Sequence, residues 1–276
     1  MPLKPLRRQL GLSLIELMVA MLLSSFLILG VTQIYIDNKR NYLYQQGQGE
    51  NQENSRFTLM FLDKQLAKAG YRRDPRSDMG DAFPASNAID CVFAEGQSVV
   101  RVDATTVCLR YQPRDVDETD CVGNKPFSAR TDLDAPYHES FSSSGNVVEK
   151  ISHKNGTLSC TAHVNGATAG PAALVEGLSS IYFDYGVNAA LDDRKITKYT
   201  ASPGAGEYIR SLRYSLLFTA TPSNLTEGIT NRVCENASNA DDIGDWQKLT
   251  GQEFDCENGK LYQMVSGSAT LRNLMP

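Results

Sequence analysis

The sequence predicts an α+β fold: one long N-terminal α-helix, membrane-spanning in its first half, packed on an antiparallel β-sheet with long disulfide-stapled loops. Three observations carry this. Leu12 to Ile36 is an apolar run interrupted by a single charge, Glu16. The polar stretch that follows keeps Leu59, Leu62, Leu66 and Ala69 at helical spacing. From Cys91 onward the apolar period shortens to two, the period of a strand with one face buried.

The N-terminal run is long enough, at about 1.5 Å per helical residue, to cross roughly 30 Å of hydrocarbon. Lys4, Arg7 and Arg8 precede it without an acid. An ordinary secretory signal has a shorter apolar region, about 7–15 residues, and then a small-residue cleavage site, which is missing after Leu29. A lipid acceptor is missing too, since Val31 and not Cys follows Leu27-Ile28-Leu29-Gly30. Lys39 and Arg40 beyond the span leave the positive-inside rule only mildly in favour of a cytoplasmic N-terminus and a periplasmic remainder.

An acid near the middle of a spanning helix costs on the order of 2.5–3.5 kcal/mol, so Glu16 calls for a use. Gly11-Leu12-Ser13-Leu14-Ile15-Glu16-Leu17 resembles the type III signal of prepilins: a basic leader ending in Gly, an apolar first mature residue and Glu at the fifth mature position. Leu12 stands where Phe is usual in that family and keeps the bulky apolar character. The resemblance implies that prepilin peptidase cuts between Gly11 and Leu12 and that Leu12 becomes N-methylated. Removal of residues 1–11 exposes an α-amine that is largely cationic at neutral pH. Glu16 lies about 6 Å further along the helix, where its carboxylate can pair with the Leu12 amine of a staggered neighbour and offset part of the desolvation.

The helix is expected to continue to Gly70, with a bend or frayed turn at the helix-weakening Gly47 and Gly49. Phe57 and Phe61 read as part of its core face. The expected divisions are a leader at 1–11, a transmembrane assembly helix at 12–36, its periplasmic continuation at 37–70 and a β-rich head at 71–276.

Strands are expected where Val107, Leu109 and Tyr111 alternate with Thr106, Cys108 and Arg110. The same pattern places Ile181, Phe183 and Tyr185 on one face of a second strand, and Leu212, Tyr214, Leu216 and Phe218 on one face of a third. Each is expected to be half-buried. One helix followed by strands gives an α+β domain. Glu53 to Phe57 through Ala67 to Tyr71, Ala173 to Leu178, Tyr182 to Val187, and Leu271-Arg272-Asn273 resemble PilW-type minor pilins. Long loops are expected at about 112–146, 187–208 and 220–260, as candidates for subunit contacts.

The six cysteines, Cys91, Cys108, Cys121, Cys160, Cys234 and Cys256, contain no CxxC and no zinc-finger spacing, which points to disulfides in an oxidising compartment. Fifteen pairings are possible. The expected set is Cys91 with Cys108 and Cys234 with Cys256 as local staples, and Cys121 with Cys160 across the longest insertion.

Net charge is −5 and the pI about 5.3, so no basic field draws nucleic acid. His138, His153 and His163 accompany no GxSxG, and HExxH, GxxxxGK[ST] and GxGxxG are absent. No enzyme, cofactor or metal is expected. The acidic clusters Asp115, Asp117, Glu118, Asp120 and Asp241, Asp242, Asp245 do not have EF-hand spacing and read as solvated loops. Trp246 reads as a core residue before a contact anchor.

The resemblance implies a minor pilin of a type IV pilus, acting in a priming or tip complex for assembly, twitching motility and adhesion. Its partners would be other minor pilins, the major pilin, prepilin peptidase and the inner-membrane assembly platform. A type II secretion pseudopilin shares the same signal, and a tip adhesin or DNA-uptake receptor is a further alternative, its DNA version opposed by the acidic pI.

Overall fold

The computed structural model describes residues 11, 13–130, 133, 145–190, 195–221, 233, 244–257 and 259–274. Helix α1 runs from Leu14 to Lys68 without interruption. The expected bend at Gly47 and Gly49 is not present. Two isolated glycines each cost about 0.8–1.0 kcal/mol in a helix interior, which is small against the nucleation cost of restarting a helix beyond a break. The helix ends where Gly70 turns left-handed, at φ 71°, and donates its N–H to the Arg110 carbonyl at 2.9 Å.

The chain divides into two compact units, 1–46 and 47–276. In the first, the described part of α1 is exposed along nearly its whole length. In the second, α1 buries Gly47, Asn51, Ser55, Thr58, Leu62, Gln65 and Leu66. Phe57 lies off that face and is 49% exposed, stacked on Phe61 at 6.3 Å. This corrects the expected core role of Phe57, whereas Phe61 is half-buried and packs against the main core beside Leu62 and Leu66 as expected.

Three antiparallel sheets follow. A two-stranded piece joins β1 (Ser86–Ala88) to β2 (Cys91–Phe93). The five-stranded sheet has the order β3-β4-β5-β6-β7: β3 (Val99–Arg101), β4 (Thr106–Tyr111), β5 (Val147–Lys154), β6 (Thr157–Val164) and β7 (Ala167–Glu176). The four-stranded sheet has the order β11-β10-β8-β9: β8 (Leu178–Asn188), β9 (Lys198–Thr200), β10 (Tyr208–Thr219) and β11 (Tyr262–Thr270). Short helices α2 (Met79–Ala82) and α3 (Asp245–Thr250) and a 3-10 turn at Arg272–Leu274 complete the described elements.

One core joins Leu62, Leu66 and Ala69 of the helical segment to Leu109 and Ile151 of the larger sheet and to Phe183 and Leu216 of the smaller. Strand β8 behaves as its alternation foretells, with Ile181, Phe183 and Tyr185 buried and Tyr182 and Asp184 half-buried. Strand β4 does not, because all six residues are buried. Val107, Leu109 and Tyr111 face the main core, while Cys108 meets Cys91, Phe93 and Val148 on the other face.

Arg110 fills the rest of that second face, where its guanidinium lies 4.6 Å from the Phe93 ring centre and donates to the carbonyls of Phe83, Pro84, Ala94 and Gln97. Burial lowers its pKa to about 10. The expected loop at 187–208 contains β9, and that at 220–260 contains α3.

Candidate assembly and processing site

Ser13 precedes the first helical residue, and its carbonyl accepts the Leu17 N–H at 3.1 Å. Glu16 stands three residues after Ser13, the S-x-x-E spacing of a capping box, and its negative charge in the first turn suits the positive end of the helix dipole. Gly11 lies just before, and a Cβ there would meet nothing within 4 Å. Leu12 lies outside the described residues.

Beyond this terminus α1 is long and apolar enough to cross a membrane, and its apolar window is not buried. Leu14, Ile15, Leu22, Phe26, Leu27 and Leu29 are all more than half exposed. So large an exposed apolar surface requires cover from lipid or other helices. Within it, Ser24, Ser25 and Thr32 return their hydroxyls to the carbonyls of Ala20, Leu22 and Ile28, each at 2.7 Å, which satisfies them where water is scarce.

The structure joins Cys91 to Cys108 and Cys121 to Cys160, with Cα separations of 6.0 and 6.1 Å. The first ties β2 to the outer face of β4. The second ties the segment after β4 to the inner face of β6. The expected pairing of Cys234 with Cys256 falls on Cys234, which lies outside the described residues.

Of the expected acidic loops, Asp115 pairs with Arg114 at 2.9 Å, Asp117 with Lys125 at 2.9 Å and Glu118 with Lys68 at 3.2 Å. Asp120 accepts the backbone N–H groups of Val122 and Asn124. These acids are occupied locally. Asp241 and Asp242 lie outside the described residues, while Asp245 pairs with Lys248 at 3.7 Å. Trp246 is 1% exposed and packs with Leu217 and Tyr262, so it is a core residue. His153 meets the Leu178 carbonyl at 2.6 Å and His163 the Thr168 hydroxyl at 2.8 Å; His138 lies outside the described residues.

The sequence reading missed Glu149, fully buried on β5. Its Oε1 accepts the Tyr111 hydroxyl at 2.8 Å and the Cys121 N–H at 2.9 Å. Its Oε2 is buried without a hydrogen-bond partner among the described residues. Desolvation raises its pKa to about 7, against the opposing pull of Lys68 and the two hydrogen bonds. The signal was an acid between Val147-Val148 and Ile151, where a strand with one buried face would put an apolar side chain.

The helix thus begins with an acid in its first turn and carries an exposed apolar surface long enough to cross a membrane. Residues 6–32 match the family model described as the prokaryotic N-terminal methylation motif. Among solved structures the chain is similar to a type IV-like pilin from Thermus thermophilus, with a TM-score of 0.45 and 10% identity over 80% of this chain and 97% of that chain. Comparison with proteins of curated function gave no match.

Proposed function

We propose that this chain is a minor pilin, PilW-like, of a bacterial type IV pilus. It joins other minor pilins in a priming or tip complex in the inner membrane, initiates assembly of the major pilin and supports twitching motility and adhesion. The observation that carries the reading is a lone acid, Glu16, five residues after Gly11 on a helix whose apolar surface is otherwise uncovered. Prepilin peptidase cuts between Gly11 and Leu12 and Leu12 is methylated. The new amine then pairs with Glu16 of a neighbouring subunit.

In this reading residues 12–36 cross the inner membrane once, 37–70 continue the helix outside it, and 71–276 form the periplasmic head. That placement suits the disulfides, which persist in oxidising compartments. No nucleic acid is expected as a partner.

Mass spectrometry of the N-terminal peptide from membrane and sheared-filament fractions tests the proposal. A chain starting at N-methylated Leu12 in the filaments supports it. An intact leader, or a start elsewhere, overturns it. Deletion separates pilus from secretion system: loss of twitching with exoprotein secretion intact supports the pilus, and the reverse assigns a type II pseudopilin.

A further inference from the structure

Cys121 and Cys160 join two segments that meet at one buried acid. The Sγ atoms of both cysteines and a carboxylate oxygen of Glu149 lie within 4.8 Å of one another, all buried. The cysteines are bonded to each other, so the carboxylate faces a disulfide and not a metal. Glu149 is positioned independently of that bond. Strands β5 and β6 pair Glu149 with Ala162 and Ile151 with Cys160, so ladder hydrogen bonds alone bring the carboxyl and Cys160 together. Cys121 is brought in by its own N–H, bonded to Oε1 at 2.9 Å. One carboxylate thus holds the Cys121 backbone through Oε1, keeps Oε2 buried without a hydrogen-bond partner among the described residues, and has an oxygen within 4.8 Å of both sulfurs.

We propose that Glu149 is the internal proton acceptor for closure of the Cys121–Cys160 disulfide. Cys121 is 5% exposed and Cys160 is fully buried, which sets the order of events. The Cys121 thiolate attacks an external small-molecule or protein disulfide, forming a mixed disulfide and releasing one external thiol. The Cys160 thiol then passes its proton to the Glu149 carboxylate, and the resulting thiolate attacks the Cys121 sulfur. The mixed bond breaks and the second external thiolate leaves, taking the proton from Glu149. The two cysteines lose two electrons, and the external disulfide becomes two thiols.

A buried thiol is a poor nucleophile until ionised, and a base held beside it removes that barrier. The charged and titratable groups around Glu149 are Lys68 from α1, Tyr111 from β4, and Glu118 and Asp120 from the segment after β4. Lys68 and the Tyr111 hydroxyl favour the ionised carboxylate and Asp120 opposes it, and the balance lies near neutral pH, where an acceptor is useful.

The same chain supplies a control, since Cys91–Cys108 lies on the opposite face of the sheet, where Asp90 beside Cys91 is exposed and ion-paired with Lys150 at 2.9 Å. Full-length protein in detergent micelles is reduced with a phosphine and reoxidised with oxidised glutathione. Alkylation quenches the samples, and peptide mapping follows each bond. In Glu149→Gln, whose amide oxygen can still accept the Cys121 N–H, Cys121–Cys160 closure is expected to slow at least about tenfold at neutral pH. Its rate should then rise only through the range of an ordinary thiol, about 8.5, with Cys91–Cys108 unchanged.

An unchanged rate overturns the proposal. So does equal slowing of both bonds, or slowing without a shift in the pH profile, since either marks a merely structural role. Should Glu149→Gln not fold, Tyr111→Phe keeps the carboxylate but removes a hydrogen bond that favours its ionised form. The midpoint of closure must then move to higher pH, and a fixed midpoint overturns the proposal.

Discussion

Glu149 shows how one side chain couples stability to pH. Its folded-state pKa of about 7 lies above the ordinary 4.5. Between those values the folded state keeps a proton that the unfolded state has released. The contribution is complete below about pH 4.5 and is lost as pH rises toward 7, by up to about 3 kcal/mol at roughly 1.4 kcal/mol per unit. Urea denaturation across that window should show stability falling with pH in the native chain and a flatter dependence in Glu149→Gln; parallel profiles would assign the proton uptake elsewhere. Arg110 is the contrasting residue. Its fan of carbonyl acceptors, which a lysine could not match, holds residues 83–97 against the outer face of β4.

At the scale of elements, the helix is joined to the sheets by polar contacts as much as by apolar ones. Asn51 donates to the Leu261 carbonyl at 3.1 Å, Asn273 donates to the Ala67 carbonyl at 2.9 Å, and the Tyr214 hydroxyl donates to Asp63 at 2.6 Å. The last contact depends on a glycine in another strand. Gly267 of β11 pairs with Tyr214 of β10, and a Cβ at Gly267 would come within 2.5 Å of the phenol. Gly267→Ala must therefore push the ring off Asp63, and we expect a loss of about 1–3 kcal/mol from overpacking and the broken hydrogen bond. Chemical denaturation measures this, and Tyr214→Phe in the same background should recover part of the loss. A neutral Gly267→Ala would mean that the ring has room to turn. The two disulfides act at the same scale. By loop length they restrict the unfolded chain by about 3 kcal/mol for the 17-residue separation and about 4 for the 39-residue one.

For the whole molecule, function rests on the contrast between a head with its own core and an N-terminal helix with none. The uncovered helix is suited to neighbours, and Glu16 sets their register if it pairs with a cationic terminus. Glu16→Val should then leave the chain in the membrane, with its head oxidised and folded, but absent from sheared filaments. Immunoblots of the two fractions decide this, and incorporation at the native level would remove the pairing role from Glu16.

The apolar run was legible because it depends only on local chemistry, length against hydrocarbon thickness. Strand β8 was legible because Ile181, Phe183 and Tyr185 are buried and alternate with half-buried Tyr182 and Asp184, whereas β10 buries Ser211, Ser215 and Leu217 as well as Leu212, Tyr214, Leu216 and Phe218 and is not the half-buried strand expected. Strand β4 was misjudged because burial on both faces erases that contrast, and only the tertiary structure reveals the second layer of Cys91, Phe93 and Arg110. Strand β6 went unnamed although Leu158, Cys160, Ala162 and Val164 alternate in burial, since small side chains give a faint pattern. The meeting of Glu149, Tyr111, Lys68 and the Cys121–Cys160 bond was out of reach of the sequence alone. Those residues come from separate elements, and strand pairing and packing of the helix end, not any local propensity, place them around one carboxylate.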